Sequence, residues 1–499
     1  MRLPSLVPAL VAAVSLAPLA PAAAAPQTVL VLVTGDENGH LLPNTEGDVP
    51  RGGAAETLGT WTSKEGHCPG KLAKDGTPAC KDGKTLVLST GDHFSGPSIS
   101  SFFQGEPVGE AMARMGYAAS AMGNHELDFG REQFDKLRAS GGFPYLSCNV
   151  RPPSKKSDKE YDLGLKPFAI FKRGGVKIGV VGLSAGNVAK TVMSGRFYGN
   201  EVTPYEPALQ QAIPAARKAG ADVVIVIADE CPTVLEPIVA KHPDWKLALV
   251  AGGHCHTPVD RKVGTTPLVS PGRRWEKYLR AELTVDASRP AGQRLVGLDT
   301  KVVDVVGGQG APAADPELAT RLQTWVRKHD EALGEKIGWT RSGIDANSAT
   351  LFTWYTRAIR TKVGVDVVVL NRKAFRGGVQ PGAITPGSVY SVMPFDDSLL
   401  TVRLKGKDLA AALENPAAVY DGAAKKEGGG WTVKGKALEP EATYSLATFE
   451  YLYFGGDNFP FERMDPNPGE TGVVAQTPVI DWTRKQGTTQ DKPLESVLH

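Results

Sequence analysis

Two polar clusters bracket residues 91–130: Gly91-Asp92-His93 at one end and Gly123-Asn124-His125-Glu126-Leu127-Asp128 at the other. Each follows an apolar run, Leu86-Val87-Leu88 before the first and Ala118-Ala119-Ser120-Ala121-Met122 before the second. Both clusters therefore fall where a buried strand would end, which in open α/β sheets is where ligands bind. The apolar spacing of residues 105–115 predicts an intervening helix, and a strand-helix-strand unit would bring Asp92 and Asn124 close together. A carboxylate and an amide oxygen converging beside a histidine are the groups of a metal-assisted hydrolytic site.

The same arrangement recurs along the first 260 residues. The run at 28–34 delivers Asp36-Glu37-Asn38-Gly39-His40, the run at 223–228 delivers Asp229-Glu230-Cys231, and the run at 247–251 delivers Gly252-Gly253-His254-Cys255-His256. A single Asp, Asn or His after a strand often only caps a turn. Here five of the nine histidines, His40, His93, His125, His254 and His256, fall in or beside such clusters, which argues for one shared site.

These clusters need a scaffold, and the pattern supplies one. Strand-like runs at 28–34, 86–88, 118–122, 145–150, 176–183, 223–228 and 247–251 alternate with helical patterns at 105–115 and 206–219, which indicates a layered α/β domain over residues 26–305. Alternation at 279–285 and 295–305 predicts half-exposed antiparallel strands that close it. Residues 49–83, rich in Gly and Lys, are expected to be a long surface excursion. The Gly-Pro-Ala stretch at 307–314 is the clearest break in composition, and 316–333 reads as a helix, so residues 306–335 form a linker with a helix that acts as a hinge near Pro316. A second domain, residues 336–499, shows strand signals at 365–370, 399–404 and 444–448.

Asp92, Gly123-Asn124-His125-Glu126 and Gly252-Gly253-His254-Cys255-His256 together match GD(x)n-GNHE-(x)n-GGHxH, and the chain thereby resembles the calcineurin-like metallophosphoesterases, in the branch containing bacterial periplasmic 5′-nucleotidases. The resemblance implies an α/β (α+β) class, with an N-terminal four-layer α/β sandwich and a C-terminal 5′-nucleotidase-type α/β substrate-binding domain. It implies Asp36, Asp92 and His256 around one divalent ion, and Asp92, Asn124 and His254 around a second, with Asp92 as the bridge. It implies that His125 is a donor to the phosphate oxygens, its ring oriented by Asp128. Two family histidines are replaced here, one by Asn38 and one by Asp229, and both replacements keep an oxygen able to coordinate. An oxygen-rich set with two imidazoles favours Mn, Mg, Ca or Fe(II) over Zn.

The resemblance extends into the second domain. Asn371-Arg372-Lys373-Ala374-Phe375-Arg376 and the residues up to Thr385 align with the family's NGGGIRxxIxxGxIT, Pro394-Phe395-Asp396-Asp397 with PFGN, and Gly455-Gly456-Asp457-Asn458-Phe459 with GGDGF. This implies that Phe395 and Tyr451 sandwich a nucleobase, that Arg376 contacts the substrate's anionic group, and that Asp457 accepts from sugar hydroxyls. The departures are Arg372-Lys373-Ala374 in place of three glycines and Asp397 in place of the PFGN asparagine.

Partners follow from composition. Formal net charge is +2 with no dense Lys/Arg cluster, which excludes a nucleic-acid polymer and leaves small anionic molecules. Residues 1–25 carry an early Arg2, an apolar middle and a small-residue run, the pattern of a secretory signal peptide, so the chain is expected to be secreted or periplasmic with no membrane contact after cleavage. Five cysteines give an odd count in an oxidising compartment. Cys68 and Cys80 share a loop and make a natural local disulfide. Of Cys148, Cys231 and Cys255, one must be unpaired; Cys231 pairs with Cys255 if their strand ends are adjacent, or all three are small buried hydrophobes.

The reaction implied is hydrolysis of a nucleotide phosphoester, by attack of a hydroxide held on two divalent metal ions. Alternatives of the same fold are a cyclic-nucleotide phosphodiesterase, a sulfur-ester hydrolase, and a catalytically silent nucleotide-binding protein.

Overall fold

The computed structural model describes residues 25–45, 49–70, 83–153, 162–192, 196–395 and 397–498. The expected signal segment, apart from Ala25, lies outside the described residues, as do Cys80 and Asp396.

In the first half, strands β1 (Gln27–Thr34), β2 (Thr85–Ser89), β3 (Tyr117–Ala121) and β4 (Tyr145–Leu146) lie side by side in parallel. There follow β5 (Phe168–Arg173), β6 (Val176–Leu183), β7 (Val223–Ala228), β8 (Leu249–Gly252), β9 (Val259–Val263) and β10 (Thr266–Ser270). They build a second sheet in the order β9-β10-β8-β7-β6-β5, parallel in its centre and antiparallel at both edges. Strands β11 (Lys277–Val285) and β12 (Leu295–Asp304) then return to the first sheet, antiparallel beyond β1, as their alternation predicts.

The two sheets pack face to face. Val29, Val31 and Val33 of β1 meet Ile178, Val180, Ile225 and Ile227 of the other sheet in a core between them, whereas Leu32 points the other way. On that outer face lie α1 (Ala54–Glu65), α2 (Glu106–Met115), α3 (Gly130–Gly141) and, further along the chain, a helix over Pro316–Leu333. The second sheet is covered by α4 (Tyr205–Lys218) and α5 (Pro232–Lys241). The result is four layers, helix on sheet on sheet on helix. Because both faces of the central strands are covered, their sequences read as unbroken apolar runs.

Two expectations are corrected. Residues 49–83 are not wholly a surface excursion, because they contain α1, whose Ala54, Ala55, Leu58 and Trp61 are buried against the first sheet. Its apolar stripe at i, i+1, i+4 and i+7 is a helical signal that the surrounding Gly and Lys conceal. The strand expected over 145–150 is broken: after Leu146 the chain leaves the ladder, and the Asn149 side chain pairs with the Ser184 backbone through two 2.8 Å bonds. A side-chain amide thus replaces strand pairing there.

The helix α6 (Pro316–Leu333) is fastened to the first domain rather than hinged at Pro316. Its N-cap Asp315 takes two hydrogen bonds from Arg114 at 3.1 and 3.3 Å, and Glu110 accepts from Trp325 Nε1 at 2.7 Å. The second domain follows as α7 (Ala349–Val363), β13 (Val367–Asn371), β14 (Ser398–Lys405), β15 (Ala418–Asp421), β16 (Thr443–Phe449), β17 (Gly469–Val474) and α8 (Gln476–Gln486). Its sheet order is β15-β13-β16-β14-β17, with only β13 and β16 parallel. The domains touch where Ser98 Oγ lies 2.9 Å from Ser391 Oγ, and α6 meets the same serine where His329 Nε2 lies 2.8 Å from Ser98 Oγ.

Because Trp61 is fully buried, Trp61→Ala should destabilise the first domain by about 3–5 kcal/mol. Chemical denaturation would check this; a change within about 0.5 kcal/mol, as for a surface site, would contradict the core role of α1.

Candidate metal centre and substrate cleft

Five parallel strands from both sheets aim their carboxyl ends at one point. Asp36 follows β1, Asp92 follows β2, Asn124 follows β3, Asp229 follows β7, and His254 and His256 follow β8. Backbone bonds stitch the turns together: Asp36 N–H donates to Gly91 O at 3.0 Å, Asn38 N–H to Asp92 O at 2.9 Å, and Gly253 N–H to Ala228 O at 3.0 Å. Asp36, Asn38, Asp92, His254 and His256 all adopt positive φ, between 43° and 66°. For non-glycine residues this conformation costs energy and persists only where the surroundings over-determine it. Close packing also fixes Gly123, where a Cβ would stand 2.2 Å from Asp92 Oδ1.

The ligand atoms form two groups that share Asp92: Asp36, Asp92 and His256 in one, and Asp92, Asp229 and His254 in the other. Within each group the atoms lie within 4.8 Å of one another. His254 Nδ1 is 3.5 Å from Asp229 Oδ2 and 3.8 Å from Asp92 Oδ2, and His256 Nε2 is 3.8 Å from Asp36 Oδ1. These separations are too long for good hydrogen bonds and suit donors gathered round a cation. Asp36 Oδ2, Asn124 Oδ1, both Asp229 oxygens and His254 Nδ1 are buried without a hydrogen-bond partner. Native interiors seldom leave such atoms unpaired, so the donor set fits a pair of divalent ions.

Electrostatics point the same way. Burial, then repulsion from Asp92 and Asp229, holds the Asp36 carboxyl well above the usual range. Burial and Asp92 push Asp229 up to about 7. Asp92 is held low despite its burial, because His125 and His254 face it. Burial disfavours a charged His254, but its contacts with Asp229 and Asp92 outweigh that and push it up to about 12. His256 is lowered to about 4, chiefly by burial, with Arg376 and Arg273 adding to the effect.

Of the two positions at which the resemblance implies a replaced histidine, Asp229 stands in one group with Asp92 and His254. Asn38 Nδ2 donates to Asp92 O at 3.0 Å, so the amide buttresses the bridging residue's turn. His93 faces away from the cleft: Nδ1 is 2.7 Å from Glu37 Oε2 and Nε2 is 2.8 Å from Ser120 Oγ. Glu126 accepts from the backbone N–H groups of Asp92, His93 and Gly123 at 3.2, 2.9 and 2.6 Å. Glu37, His93 and Glu126 thus form a buried polar layer behind the ligands, a role the sequence reading did not assign them.

His125 lies beside Asp92, its Nδ1 2.6 Å from Asp128 Oδ2, which leaves Nε2 for another partner. Burial disfavours its imidazolium, yet Asp128 and Asp92 together raise its pKa.

Opposite these groups stands the second domain, across a cleft of about 1430 Å³. That exceeds the ~300–1,000 Å³ of ordinary small-molecule pockets. Phe395, Tyr451, Arg376 and Asp457 all line it. The Phe395 ring stacks near His125 at 5.9 Å with planes 19° apart, and the Arg376 guanidinium sits 5.7 Å from the Phe395 centroid. The two domains therefore face each other closely. Asp457, at φ 46°, accepts from Asn371 Nδ2 at 2.7 Å, and Lys373 Nζ approaches it at 3.4 Å. Asp397 is buried in the same wall, and burial pushes it up to about 7. Arg273 and Arg274 also line the cleft; no motif flagged them, and their signal was only the Pro-Gly-Arg-Arg-Trp string.

Cys231 and Cys255 form a disulfide, and Cys148 is buried and free. Cys68 is disulfide-bonded, while its expected partner Cys80 lies outside the described residues.

Comparison with known proteins agrees with this picture. Residues 332–463 match the family described as 5′-nucleotidase, C-terminal domain. Over 509 residues the chain is 26% identical to protein UshA of Escherichia coli (strain K12), covering 89% of each. It is 25% identical to a 5′-nucleotidase of Vibrio cholerae, covering 80% of this chain and 82% of that protein. The fold matches a 5′-nucleotidase precursor from Thermus thermophilus with a TM-score of 0.75 at 20% identity, covering 93% and 97% of the two chains.

Since Asp128 raises the His125 pKa, Asp128→Asn should lower it. In chelator-treated protein the His125 imidazole signals, followed by NMR, should lose their proton at lower pH than in the wild type; an unchanged midpoint would show that Asp128 does not act on His125.

Proposed function

We propose that this chain, a homologue of the calcineurin-like 5′-nucleotidases, is an exported, metal-dependent phosphoester hydrolase that acts on nucleotides. The observation that supports this most directly is the pair of ligand groups sharing Asp92, set beside His125 and facing Phe395 and Tyr451 across one cleft. The same geometry weighs against a silent binding protein, because Asp229 keeps a carboxylate in the second ligand group.

Asp36, Asp92 and His256 would hold one divalent ion, and Asp92, Asn124, Asp229 and His254 the other. When bound, the two ions supply a water-derived nucleophile and neutralise charge on the phosphoryl oxygens. His125 donates from Nε2 to an oxygen that gains charge as phosphorus is attacked. To donate there while Asp128 accepts from Nδ1–H, the ring must carry both protons, and the carboxylates of Asp128 and Asp92 favour that state. Arg376 holds the anionic group from the second domain, as a guanidinium with fixed donors suits phosphate. Phe395 and Tyr451 stack the base, and Asp457 accepts from the sugar.

Purified protein supplied with Mn or Mg should release phosphate from nucleoside 5′-monophosphates, and Asp92→Asn should abolish both turnover and metal retention. Absence of phosphate release from nucleotides, sugar phosphates and cyclic nucleotides alike would overturn the reading. Base stacking is worth ~1–3 kcal/mol, so Phe395→Ala or Tyr451→Ala should raise KM for a nucleotide roughly 5- to 150-fold. The same variants should leave KM for p-nitrophenyl phosphate within about twofold of wild type; equal losses on both substrates would refute a base-binding role.

A further inference from the structure

The Cys231–Cys255 disulfide sits among the ligands. Cys255 lies between His254 and His256, one from each ligand group, and Cys231 lies two residues after Asp229. The bond therefore joins the turn after β7 to the turn after β8, and three of the proposed ligands hang on those two turns. The strands beneath are already paired, Ala228 opposite Gly252. Beyond that pair the backbone of the two turns is held by Gly253 N–H to Ala228 O at 3.0 Å, Asp229 N–H to Leu183 O at 2.9 Å, Cys231 N–H to Glu230 Oε1 at 2.8 Å, Cys255 N–H to Gly253 O at 2.8 Å, and His254 N–H to Asp36 Oδ1 at 2.8 Å.

The turn needs more than that. His254 and His256 both adopt positive φ, 66° and 56°, on either side of Cys255. Left to itself such a turn relaxes to commoner backbone angles. On the other side, both oxygens of Asp229 are buried without a hydrogen-bond partner, and His254 Nδ1, on the other turn that the disulfide joins, faces this carboxylate at 3.5 Å.

We infer that Cys231 and Cys255 are positioning residues, whose disulfide presets Asp229, His254 and His256 for divalent-cation binding and makes metal affinity depend on its oxidation state. This rests on the reading of those three residues as metal ligands. Both cysteines are partly exposed, so a dithiol reaches them. The dithiol gives up two electrons and two protons, becomes a cyclic disulfide, and leaves Cys231 and Cys255 as two thiols.

The test is titration of metal-free protein with Mn²⁺ by calorimetry, comparing oxidised wild type, the Cys231→Ser/Cys255→Ser double variant, and wild type reduced with excess dithiol. A Cys68→Ser variant treated in parallel controls for the other disulfide, and circular dichroism confirms that each sample is folded. Loss of groups that orient metal ligands costs about 10–100-fold in affinity, and the double variant and reduced wild type should weaken by that amount. The Mn²⁺ concentration for half-maximal activity should rise in parallel, more than the maximal rate falls, and re-oxidation of the reduced wild type should restore both. Affinity within about twofold of wild type in the folded double variant would overturn the inference while leaving the metal centre intact. Tighter binding after reduction would also overturn it, since the thiols would then be ligands. Failure of oxidised wild type to bind Mn²⁺ would instead overturn the metal reading itself. If the double variant does not fold, the reduced and re-oxidised wild type decides the question alone.

Discussion

Three buried carboxylates, Asp36, Asp92 and Asp229, stand where they repel one another, and much of the first domain exists to keep them there. None of the three is more than 1% exposed. Charges of one sign in a medium that screens poorly are tolerable only if they protonate or gain cations between them. Burial and mutual repulsion already drive Asp36 and Asp229 toward the neutral state. Divalent ions would remove that conflict, so binding energy and the relief of stored repulsion act together.

Holding such a cluster takes support from behind and from the sides. Behind, Glu126 gathers three backbone N–H groups, and Glu37 and His93 pair in a fully buried contact. At the sides, turns at positive φ are tied to one another across neighbouring strands. In front, the second domain brings Arg376 and Phe395 up to His125. The two walls of the cleft thus come from different domains, and α6 is pinned to the first by Arg114, Asp315 and Glu110.

The two positions at which the resemblance implies a replaced histidine, Asn38 and Asp229, differ in three dimensions. Asp229 stands in one group with Asp92 and His254, while Asn38 turns its amide nitrogen to the backbone of Asp92. One side chain joins the carboxylate cluster; the other braces the turn of Asp92.

By itself the sequence determined the layered α/β class, the strands that end at Asp36, Asp92, Asn124, Asp229 and His254, and the polar side chains that these strand ends bring to the cleft. Those features are local: an apolar run ends, and the next polar residue sits at the sheet edge. It also exposed the second domain through short motifs around Arg376, Phe395 and Asp457. Tertiary structure alone decided what depends on contacts distant in sequence. Trp61 proved to be core because a sheet formed partly of residues beyond 277 lies beneath it. His93 proved to be a buried buttress because Glu37 arrives from another turn. Cys231 found Cys255 because β7 and β8 are neighbours, a pairing that only strand order fixes. Which face of a strand end meets which partner is set by how sheets stack, and no window of sequence carries that information.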